Sequence, residues 1–281
     1  MSNGISICII TYNQEKYIGQ AIESALMQMG DFRYEIIISD DCSTDNTPAI
    51  IRSYFEKYPE VIKASFSEKN LGMLRNWEKA LKLCKKEYIA LLEGDDFWTD
   101  PFKLQKQLNV LNENLDCVVS FTNANIKYES GEPGYPIYVT IPEGIYGAAD
   151  LLDNNFIPTC SVLMRNHISD VFFHPAYFNS PFADWVIHIL NSRFGNFHFL
   201  NEFTSTYRVH VEGVWSKSSS EKQLLDKLKC IDCIDQITKN TALSKGTRES
   251  RKRILQNLCQ YFKTRKMYWK HFFYRMKLVI N

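Results

Sequence analysis

The sequence predicts an α/β fold in which helices flank a mostly parallel β-sheet, with a helical appendage at the C-terminal end. Over the first 120 residues, short apolar runs rich in β-branched residues alternate with longer stretches of helical periodicity. The alternation repeats at intervals of roughly thirty residues, which is the spacing of βαβ units in a parallel sheet. Beyond residue 128 the alternation becomes irregular, and beyond residue 220 the pattern is helical.

The predicted strands are short, continuous and apolar, as expected of strands buried on both faces of a parallel sheet. They cover residues 5–10, 34–39, 61–66, 88–92 and 117–121, with less regular strands at 161–165 and 197–207. The predicted helices cover residues 15–29, 45–58, 72–85, 101–114, 148–154 and 182–193. The final helical region is interrupted around residues 240–247.

The charge of the chain is unevenly distributed, although its net charge is only +1. Residues 245–277 carry eleven Lys or Arg and one acid (+10), which leaves 22 bases and 31 acids (−9) elsewhere. This basic tail predicts an anionic partner for the tail alone, and nothing else in the chain supports binding of nucleic acid. The chain shows no signal peptide, its eight cysteines are scattered, and no apolar run approaches the ~20 residues that span a bilayer. We therefore expect a cytoplasmic protein with reduced thiols.

Polar clusters follow four consecutive predicted strands. Because the carboxyl ends of parallel strands meet at one edge of the sheet, where ligands bind, these clusters are expected to converge. The Asp40-Asp41 pair alone has a plainer explanation, since an acid pair before Ser43-Thr44-Asp45 could cap the helix that follows. The clusters are Thr11-Tyr12-Asn13, Asp40-Asp41, Glu68-Lys69-Asn70 and Glu93-Gly94-Asp95-Asp96.

The last of these clusters predicts a divalent metal site. Neighbouring carboxylates repel one another unless a cation lies between them, and hard ions such as Mn²⁺ or Mg²⁺ prefer oxygen ligands that bridge to substrate phosphates. The alternative is a charged turn before the next helix. Neither a GxGxxG fingerprint nor a GxxxxGK[ST] loop is present, which argues against dinucleotide binding and against a phosphate-loop NTPase.

Four motifs, taken in order and with their spacing, resemble the family 2 glycosyltransferases of the GT-A fold, a Rossmann-like α/β architecture. The resemblance is strong over residues 4–125 and weaker over residues 126–216, and it does not include the tail. The motifs are Ile9-Ile10-Thr11-Tyr12-Asn13, Asp40-Asp41-Cys42-Ser43-Thr44-Asp45-Asn46-Thr47, Asn70-Leu71-Gly72 and Glu93-Gly94-Asp95-Asp96.

The resemblance implies a nucleotide-sugar site and a metal. Thr11 and Asp41 would hold the base and ribose, and Asp96 would be a direct ligand of Mn²⁺ or Mg²⁺. His210, in a Tyr-Arg-x-His element, would complete the metal shell or contact the diphosphate; otherwise it is an exposed loop histidine. The remaining nucleotide-sugar-binding residues implied by the resemblance are Tyr12, Asn13, Asp40, Asn70, Gly72, Arg75 and Asp95.

The second half of the resemblance implies a catalytic base and a covering loop. Asp184 would accept a proton from the acceptor hydroxyl, although an Asp at this position could instead be an N-cap. Trp215 and Ser216 would lie on a segment that folds over the donor. Separately from the resemblance, Trp98, which follows the acid cluster, is the aromatic residue most expected to stack on a sugar, with core packing as the alternative.

These features together predict a catalytic domain at residues 1–216, with a nucleotide-binding half (1–125) and an acceptor half (126–216), followed by a basic helical region at 217–281. The activity that the resemblance implies is inverting transfer of a sugar to a saccharide or lipid-linked saccharide in cell-surface polysaccharide synthesis. UDP is the default donor nucleotide, with dTDP and GDP as alternatives. The alternatives are a nucleotidyltransferase that makes nucleotide-sugars and a non-catalytic binding protein of the same fold. The tail would bind an anionic membrane surface peripherally or pack on the catalytic domain.

Overall fold

The structure is a computed structural model that describes residues 4–132, 134, 139–169, 173–211, 213 and 219–280. These residues form two compact units. The first unit comprises Met1–Gly147, Phe156–Phe172 and Leu190–His210, and the second comprises Ala148–Asn155, Phe173–Ile189 and Val211–Asn281. The predicted domains at residues 1–216 and 217–281 stay a prediction.

The first unit is built on one β-sheet. In chain order its strands are β1 (Gly4–Thr11), β2 (Arg33–Asp40), β3 (Ile62–Phe66), β4 (Tyr88–Glu93), β5 (Phe97–Trp98), β6 (Cys117–Tyr128), β7 (Gly144–Tyr146), β8 (Leu163–Arg165) and β9 (Asn196–Val209). The order across the sheet is β3-β2-β1-β4-β8-β6-β9-β5, and β7 also pairs with β9. The helices of this unit are α1 (Ile18–Leu26), α2 (Thr47–Lys57), α3 (Met73–Leu83) and α4 (Lys103–Glu113).

The predicted parallel strands form one half of this sheet. β1 pairs in parallel with both β2 and β4, and β2 pairs in parallel with β3. The side chains of β1, β2 and β4 are mostly buried on both faces, whereas those of β3, at the edge of the sheet, are mostly part-buried. The apolar side of α1 packs against the same core. The βαβ pattern read from the sequence is therefore confirmed.

The other half of the sheet is mixed and contains antiparallel strands that were not predicted, although most paired residues of the whole sheet lie in parallel strands, as expected. β8 lies antiparallel between β4 and β6, and β5 and β7 are antiparallel to β9. Only β6 and β9 pair in parallel there. β5, β7 and β8 have two or three residues each, too few to carry a hydrophobic period.

The second unit is helical. Its helices are α5 (Ala148–Leu151), α6 (Ala183–Asn191), α7 (Ser220–Ile237), α8 (Ser244–Thr264) and α9 (Tyr268–Ile280), α6 extending to the residues where the first unit resumes. The predicted interruption between α7 and α8 is confirmed, with Asn240 in the left-handed region (φ 65°). A second interruption between α8 and α9 was not predicted, and there Lys266 has φ 58°. Within the described ranges, no helix is both long enough and apolar enough to cross a bilayer.

Candidate active site at the carboxyl edge of the sheet

The loops that follow β1 to β4 meet at one edge of the sheet. The backbone N–H of Asp41 donates to the carbonyl of Thr11 at 3.0 Å, and the N–H of Gly94 donates to the carbonyl of Ile10 at 2.9 Å. The N–H of Ser67 donates to the carbonyl of Asp40 at 3.0 Å. The predicted convergence of polar loops is therefore a feature of the backbone itself.

Gly94 allows the acid loop to lie directly on the loop after β1. A Cβ atom added to Gly94 would lie 2.4 Å from Oε1 of Gln14 and 2.9 Å from the side chain of Thr11. Such distances are far below van der Waals contact, so a larger residue would push the two loops apart. The Thr11 hydroxyl donates to the same Gln14 oxygen at 2.8 Å, which fixes the surface against which Gly94 packs.

Asp96 is a buried carboxylate at this edge, with 1% of its surface exposed. Its Oδ1 accepts a hydrogen bond from the backbone N–H of Arg208 at 2.8 Å. Its Oδ2 is buried and, among the described residues, has no hydrogen bond of ordinary geometry, although the Cys160 thiol is close. Burial, and next the charge of Asp95, raise the pKa of Asp96 well above its usual range.

The Asp95 carboxylate contacts His210, which directly follows β9. Oδ2 of Asp95 lies 2.9 Å from Nε2 of His210. The imidazole is almost fully buried, and its ring centroid lies 4.9 Å from that of Tyr17. The structure therefore brings together the Asp95, Asp96 and His210 side chains on which the sequence analysis depends.

Arg208 is a buried side chain that holds the backbone of the acid pair in position. Its Nε donates to the backbone carbonyl of Asp95 at 2.7 Å, and its two terminal nitrogens contact Glu129 at 3.2 Å and Gln20 at 2.8 Å. The side chain is only 4% exposed, and its guanidinium lies 4.7 Å from the centre of the Tyr17 ring. A guanidinium that contacts three different residues and stacks on a ring cannot be replaced by a lysine without loss of contacts.

Tyr17 and Glu129 complete this network. The Tyr17 hydroxyl donates to Oε2 of Glu129 at 2.6 Å, while Arg208 contacts the other oxygen. The Tyr17 hydrogen bond, with a smaller contribution from Arg208, lowers the pKa of Glu129. Glu129 is therefore charged at neutral pH and balances the charge of the buried guanidinium.

Asp41 connects the loop after β2 to the Asn-x-Gly element. Its two carboxylate oxygens accept hydrogen bonds from the backbone N–H groups of Leu71 (2.7 Å) and Gly72 (2.9 Å). Asn70 also accepts from Gly72 at 3.0 Å. Gly72 has φ +83°, a conformation that favours glycine. Its N–H and that of Leu71 are held at the sheet edge by the Asp41 carboxylate. These contacts give Asp41 a structural role, and its contact with a nucleotide stays a prediction.

The other residues predicted to bind the nucleotide-sugar lie around the same edge. Asp40 is buried and accepts from the Ser43 hydroxyl at 2.5 Å, and the Asn13 carboxamide accepts from the backbone N–H of Thr44 at 2.8 Å. Tyr12 and Arg75 are exposed. Their contacts with a ligand stay predictions.

Asp184 belongs to the second unit, where it lies in the first turn of α6. Its Oδ2 accepts a hydrogen bond from the side chain of Asn155 at 2.7 Å. Its role as a base stays a prediction. Trp215 and Ser216, the residues expected on a covering loop, lie outside the described residues.

The expectation that Trp98 stacks on a sugar is wrong. Trp98 is buried, its indole N–H donates to the carbonyl of Cys160 at 2.7 Å, and its ring contacts the ammonium group of Lys103 at 4.5 Å. Phe97 and Trp98 form β5 on the edge of β9, which turns the indole into the core. Its proximity to the acids in sequence therefore did not predict its side-chain direction.

The residues at the acid pair fit a divalent metal ion by their chemistry. The buried Oδ2 of Asp96 has the weak thiol donor of Cys160 beside it and no other donor among the described residues. The Asp95 carboxylate and the His210 imidazole lie near it, and oxygen and imidazole ligands suit a divalent ion. Among the residues that the structure describes, no group of three or more His, Cys, Asp or Glu side chains is arranged to enclose an ion. An ion held here would therefore complete its coordination with water and with phosphate oxygens of a ligand, as Mg²⁺ commonly does.

Comparison with known proteins identifies the family of this site. The model of glycosyl transferase family 2 matches residues 6–172, more than half of the 281-residue chain. The match includes the loops after β1 to β4, and Asp184, Arg208 and His210 lie beyond it. The chain belongs to glycosyltransferase family 2.

Two relatives illustrate this membership. An uncharacterised protein of Mycobacterium tuberculosis is 34% identical over 223 residues, and the match covers 78% of this chain and 62% of the relative's length. The UDP-Glc:alpha-D-GlcNAc-diphosphoundecaprenol beta-1,3-glucosyltransferase WfaP of Escherichia coli is 31% identical over 219 residues. That match covers 77% of this chain and 82% of WfaP.

Two solved structures confirm the GT-A fold of this family 2 chain. TarS of S. aureus, solved with UDP-GlcNAc, superposes with a TM-score of 0.66 at 20% identity, over 94% of this chain and 73% of TarS. The mannosyltransferase PcManGT of Pyrobaculum calidifontis, solved with GDP-Man and Mn²⁺, superposes with a TM-score of 0.63 at 11% identity. That match covers 99% of this chain and 84% of PcManGT.

The residues that support the acid pair were not predicted from the sequence. For Arg208 the sequence holds one indication, since Arg208 belongs to the same Tyr-Arg-x-His element as His210. Tyr17, Gln20 and Glu129 carried no signal, because they are polar or aromatic residues on unrelated elements, and Gln20 is 188 positions from Arg208. Only the fold of this family 2 chain brings them together.

Proposed function

We propose that this chain is an inverting glycosyltransferase that transfers a sugar from a UDP-sugar to a saccharide acceptor in cell-surface polysaccharide synthesis. The observation that carries the proposal is the Asp95–Asp96 pair, which lies with His210 at the carboxyl edge of the parallel strands. The buried Oδ2 of Asp96, which has only the weak thiol donor of Cys160 near it among the described residues, is suited to a cation. Parallel sheets bind nucleotides at this edge, and family membership supports the same reaction class.

The nucleotide of the donor would lie along the loops after β1, β2 and β3. In this proposal Thr11 and Asp41 contact the base and ribose, and the backbone of Asn70 and Gly72 runs beside them. Tyr12, Asn13, Asp40 and Arg75 border the same region. WfaP takes its donor as UDP-Glc by name, and TarS is solved with UDP-GlcNAc, which supports UDP over other nucleotides.

The acid pair would support departure of the diphosphate. A bound Mn²⁺ or Mg²⁺ ion supplies positive charge that stabilises the leaving diphosphate. Asp96 and His210 would hold this ion, and Asp95, fixed by Arg208, would orient the donor. PcManGT is solved with Mn²⁺, and imidazole ligation favours Mn²⁺ over Mg²⁺, so Mn²⁺ is the preferred ion in this proposal.

Asp184 would act as the general base. As the acceptor hydroxyl oxygen attacks the anomeric carbon, the Asp184 carboxylate takes the hydroxyl proton and the bond from that carbon to the diphosphate oxygen breaks. This single displacement inverts the anomeric centre and needs no carboxylate nucleophile, unlike a retaining glycosidase.

The acceptor in this proposal is a saccharide or a lipid-linked saccharide, reached from the cytoplasm at the inner face of the plasma membrane. WfaP acts by name on GlcNAc-diphosphoundecaprenol, and it is similar to this chain over 77% of this chain's length. A membrane-bound acceptor also suits the basic tail, which would bind the anionic surface peripherally.

Turnover of a UDP-sugar panel with GlcNAc-diphosphoundecaprenol as acceptor tests the proposal. We expect release of UDP that depends on Mn²⁺ and on acceptor, and a product whose anomeric configuration is inverted by NMR. Asp184→Asn should abolish transfer while donor binding remains, because the base acts only on the acceptor. Asp150→Asn, an exposed acid on α5, is the matched control and should transfer normally. Retention of configuration, or full activity of Asp184→Asn, would refute the proposed mechanism.

A further inference from the structure

The outer face of α9 is apolar, contrary to the usual arrangement of a surface helix. Of the fourteen large hydrophobic side chains exposed among the described residues, five lie on this single helix. Their exposed fractions range from 44% to 71%. The five, which we call the α9 face, are Tyr268, Trp269, Phe272, Phe273 and Met276.

The α9 face is one contiguous surface. At about 100° per residue, these five positions fall within an arc of about 140° and along about 12 Å of helix. Singly exposed apolar residues are normal on a protein surface, but a contiguous cluster of this kind marks an interaction site.

The opposite side of α9 is already occupied by α7 and α8. The Tyr274 ring stacks on Phe262 of α8 at 5.4 Å, and Nδ1 of His271 lies 2.9 Å from the carbonyl of Cys259. Lys270 forms an ion pair with Glu221 of α7 at 2.7 Å. The α9 face therefore points outward because of specific packing, and a rotation of the helix that buried it would break these contacts.

The tail does not form one continuous apolar face. Leu258, Phe262, Trp269 and Phe272 follow one another at near-helical intervals in the sequence, but the interruption at 265–267 divides them between α8 and α9. Leu258 and Phe262 are buried on α8, whereas Trp269 and Phe272 are exposed on α9. The tail thus both packs through α8 and presents a second, separate face.

The surroundings of the α9 face are positively charged. From residue 250 to the end the sequence contains nine Lys or Arg and no acid. Lys263, Arg265 and Lys266 are exposed just before α9, and Arg275 is exposed on it. Aromatic residues flanked by bases at both ends suit a lipid–water interface with anionic headgroups.

We propose that the α9 face is a membrane-binding surface that inserts its aromatic side chains among the headgroups of an anionic bilayer. A second copy of the chain is a poorer occupant, because two such faces in contact would bring their clustered bases together. A nucleic acid would match the charge but leave the aliphatic Met276 and a continuous apolar arc without a partner. The inference deepens the proposed membrane-bound acceptor, yet it concerns lipid binding alone, so it can fail while transfer activity survives.

Co-sedimentation of the 281-residue chain with vesicles tests this surface. We expect binding to vesicles of phosphatidylcholine and phosphatidylglycerol and little binding to phosphatidylcholine alone. The double variant Trp269→Ser/Phe272→Ser should lower the partition coefficient at least tenfold, because neither aromatic ring would then be buried in the bilayer. Arg265→Gln/Lys266→Gln should lower it about 30-fold on anionic vesicles, at about 1 kcal/mol per base. Phe55→Ser, an exposed aromatic residue on α2, is the matched control and should bind normally.

Tryptophan fluorescence provides a readout independent of sedimentation. Anionic vesicles should shift the emission to the blue in the wild type and in Phe55→Ser, and the shift should be lost in Trp269→Ser. All these positions are exposed, so circular dichroism of every variant should match the wild type. Absence of vesicle binding by the folded wild type, or equal binding by Trp269→Ser/Phe272→Ser, would overturn the proposal. The proposal would also be overturned if the wild type were a dimer, the double variant a monomer, and lipid had no effect on either. Binding of a nucleic acid in place of vesicles would overturn it as well.

Discussion

Lys103 is a completely buried lysine in the first unit, and its charge state should make the stability of the protein depend on pH. Its ammonium group donates to Oε1 of Gln107 at 2.7 Å and lies 4.5 Å from the centre of the Trp98 ring. Burial lowers the pKa of Lys103 to about 7, and the Cys160 and Asp100 side chains oppose this shift only partly. The ordinary value is 10.5.

The direction of the pH dependence follows from the two states. Between pH 7 and 10.5 the unfolded chain keeps the Lys103 proton and the folded chain releases it, so stability rises with pH across that window. The full difference between the two pKa values corresponds to about 5 kcal/mol, present as a penalty at low pH. Most of it remains at pH 7, and about 2 kcal/mol of it is relieved between pH 7 and 9.

Lys103→Met removes the titration and keeps the apolar stem. We expect the wild type to gain about 2 kcal/mol relative to this variant between pH 7 and 9, measured as the free energy of unfolding in urea. Loss of the donor to Gln107 would lower the free energy of unfolding by about 1–3 kcal/mol at every pH. The test is therefore the slope of that free energy against pH and not its absolute value. Lys106→Met, a partly exposed lysine on the same helix, is the control. Its ion pairs raise its pKa, so its titration falls above this window and its slope should equal that of the wild type. Parallel profiles for wild type and Lys103→Met would refute the reasoning.

Three further predictions concern the site. Gly94→Ala should destabilise the protein by about 1–3 kcal/mol in urea unfolding and weaken donor binding, since its Cβ overlaps the loop after β1; wild-type stability and binding would contradict the close approach. Arg208→Lys should cost about 2–4 kcal/mol because the guanidinium contacts with Glu129, Gln20 and the Asp95 carbonyl are lost; a cost below about 0.5 kcal/mol in the same assay would show that Arg208 does not support the acid pair. Asp41→Ala should speed hydrogen exchange of the Leu71 and Gly72 amides about tenfold or more, since each loses its charged acceptor; unchanged exchange would mean that other contacts hold this loop.

The parallel half of the sheet could be predicted because its strands are buried on both faces. Ile36, Ile37 and Ile38 are all buried, so the run of β-branched residues carried the assignment directly. β5 could not be predicted, since two residues have no period and their partners, Thr206 and Ser205, are more than a hundred positions away. The same distance in sequence hid the side-chain direction of Trp98.

The acid pair could be found from the sequence, but the network that supports it could not. Asp95 and Asp96 are adjacent and follow a strong strand, whereas the partners of Arg208 come from α1 and the end of β6. The tail shows a related limit, because an apolar period looks the same whether its face is buried or exposed. Phe262 and Phe272 fit one pattern in sequence, yet the first is buried and the second is exposed.

Calorimetric binding of UDP-sugars with and without Mn²⁺, on wild type and Asp96→Asn, tests whether this edge of the sheet is a metal-assisted donor site. We expect that one UDP-sugar binds the wild type in the presence of Mn²⁺, that omission of Mn²⁺ weakens this binding at least tenfold, and that Asp96→Asn abolishes the metal effect. Asp31→Asn, an exposed acid between α1 and β2, is the control and should bind as the wild type does. Equal affinity with and without Mn²⁺, or a full metal effect in Asp96→Asn, would contradict the assignment of this edge as the metal-assisted donor site.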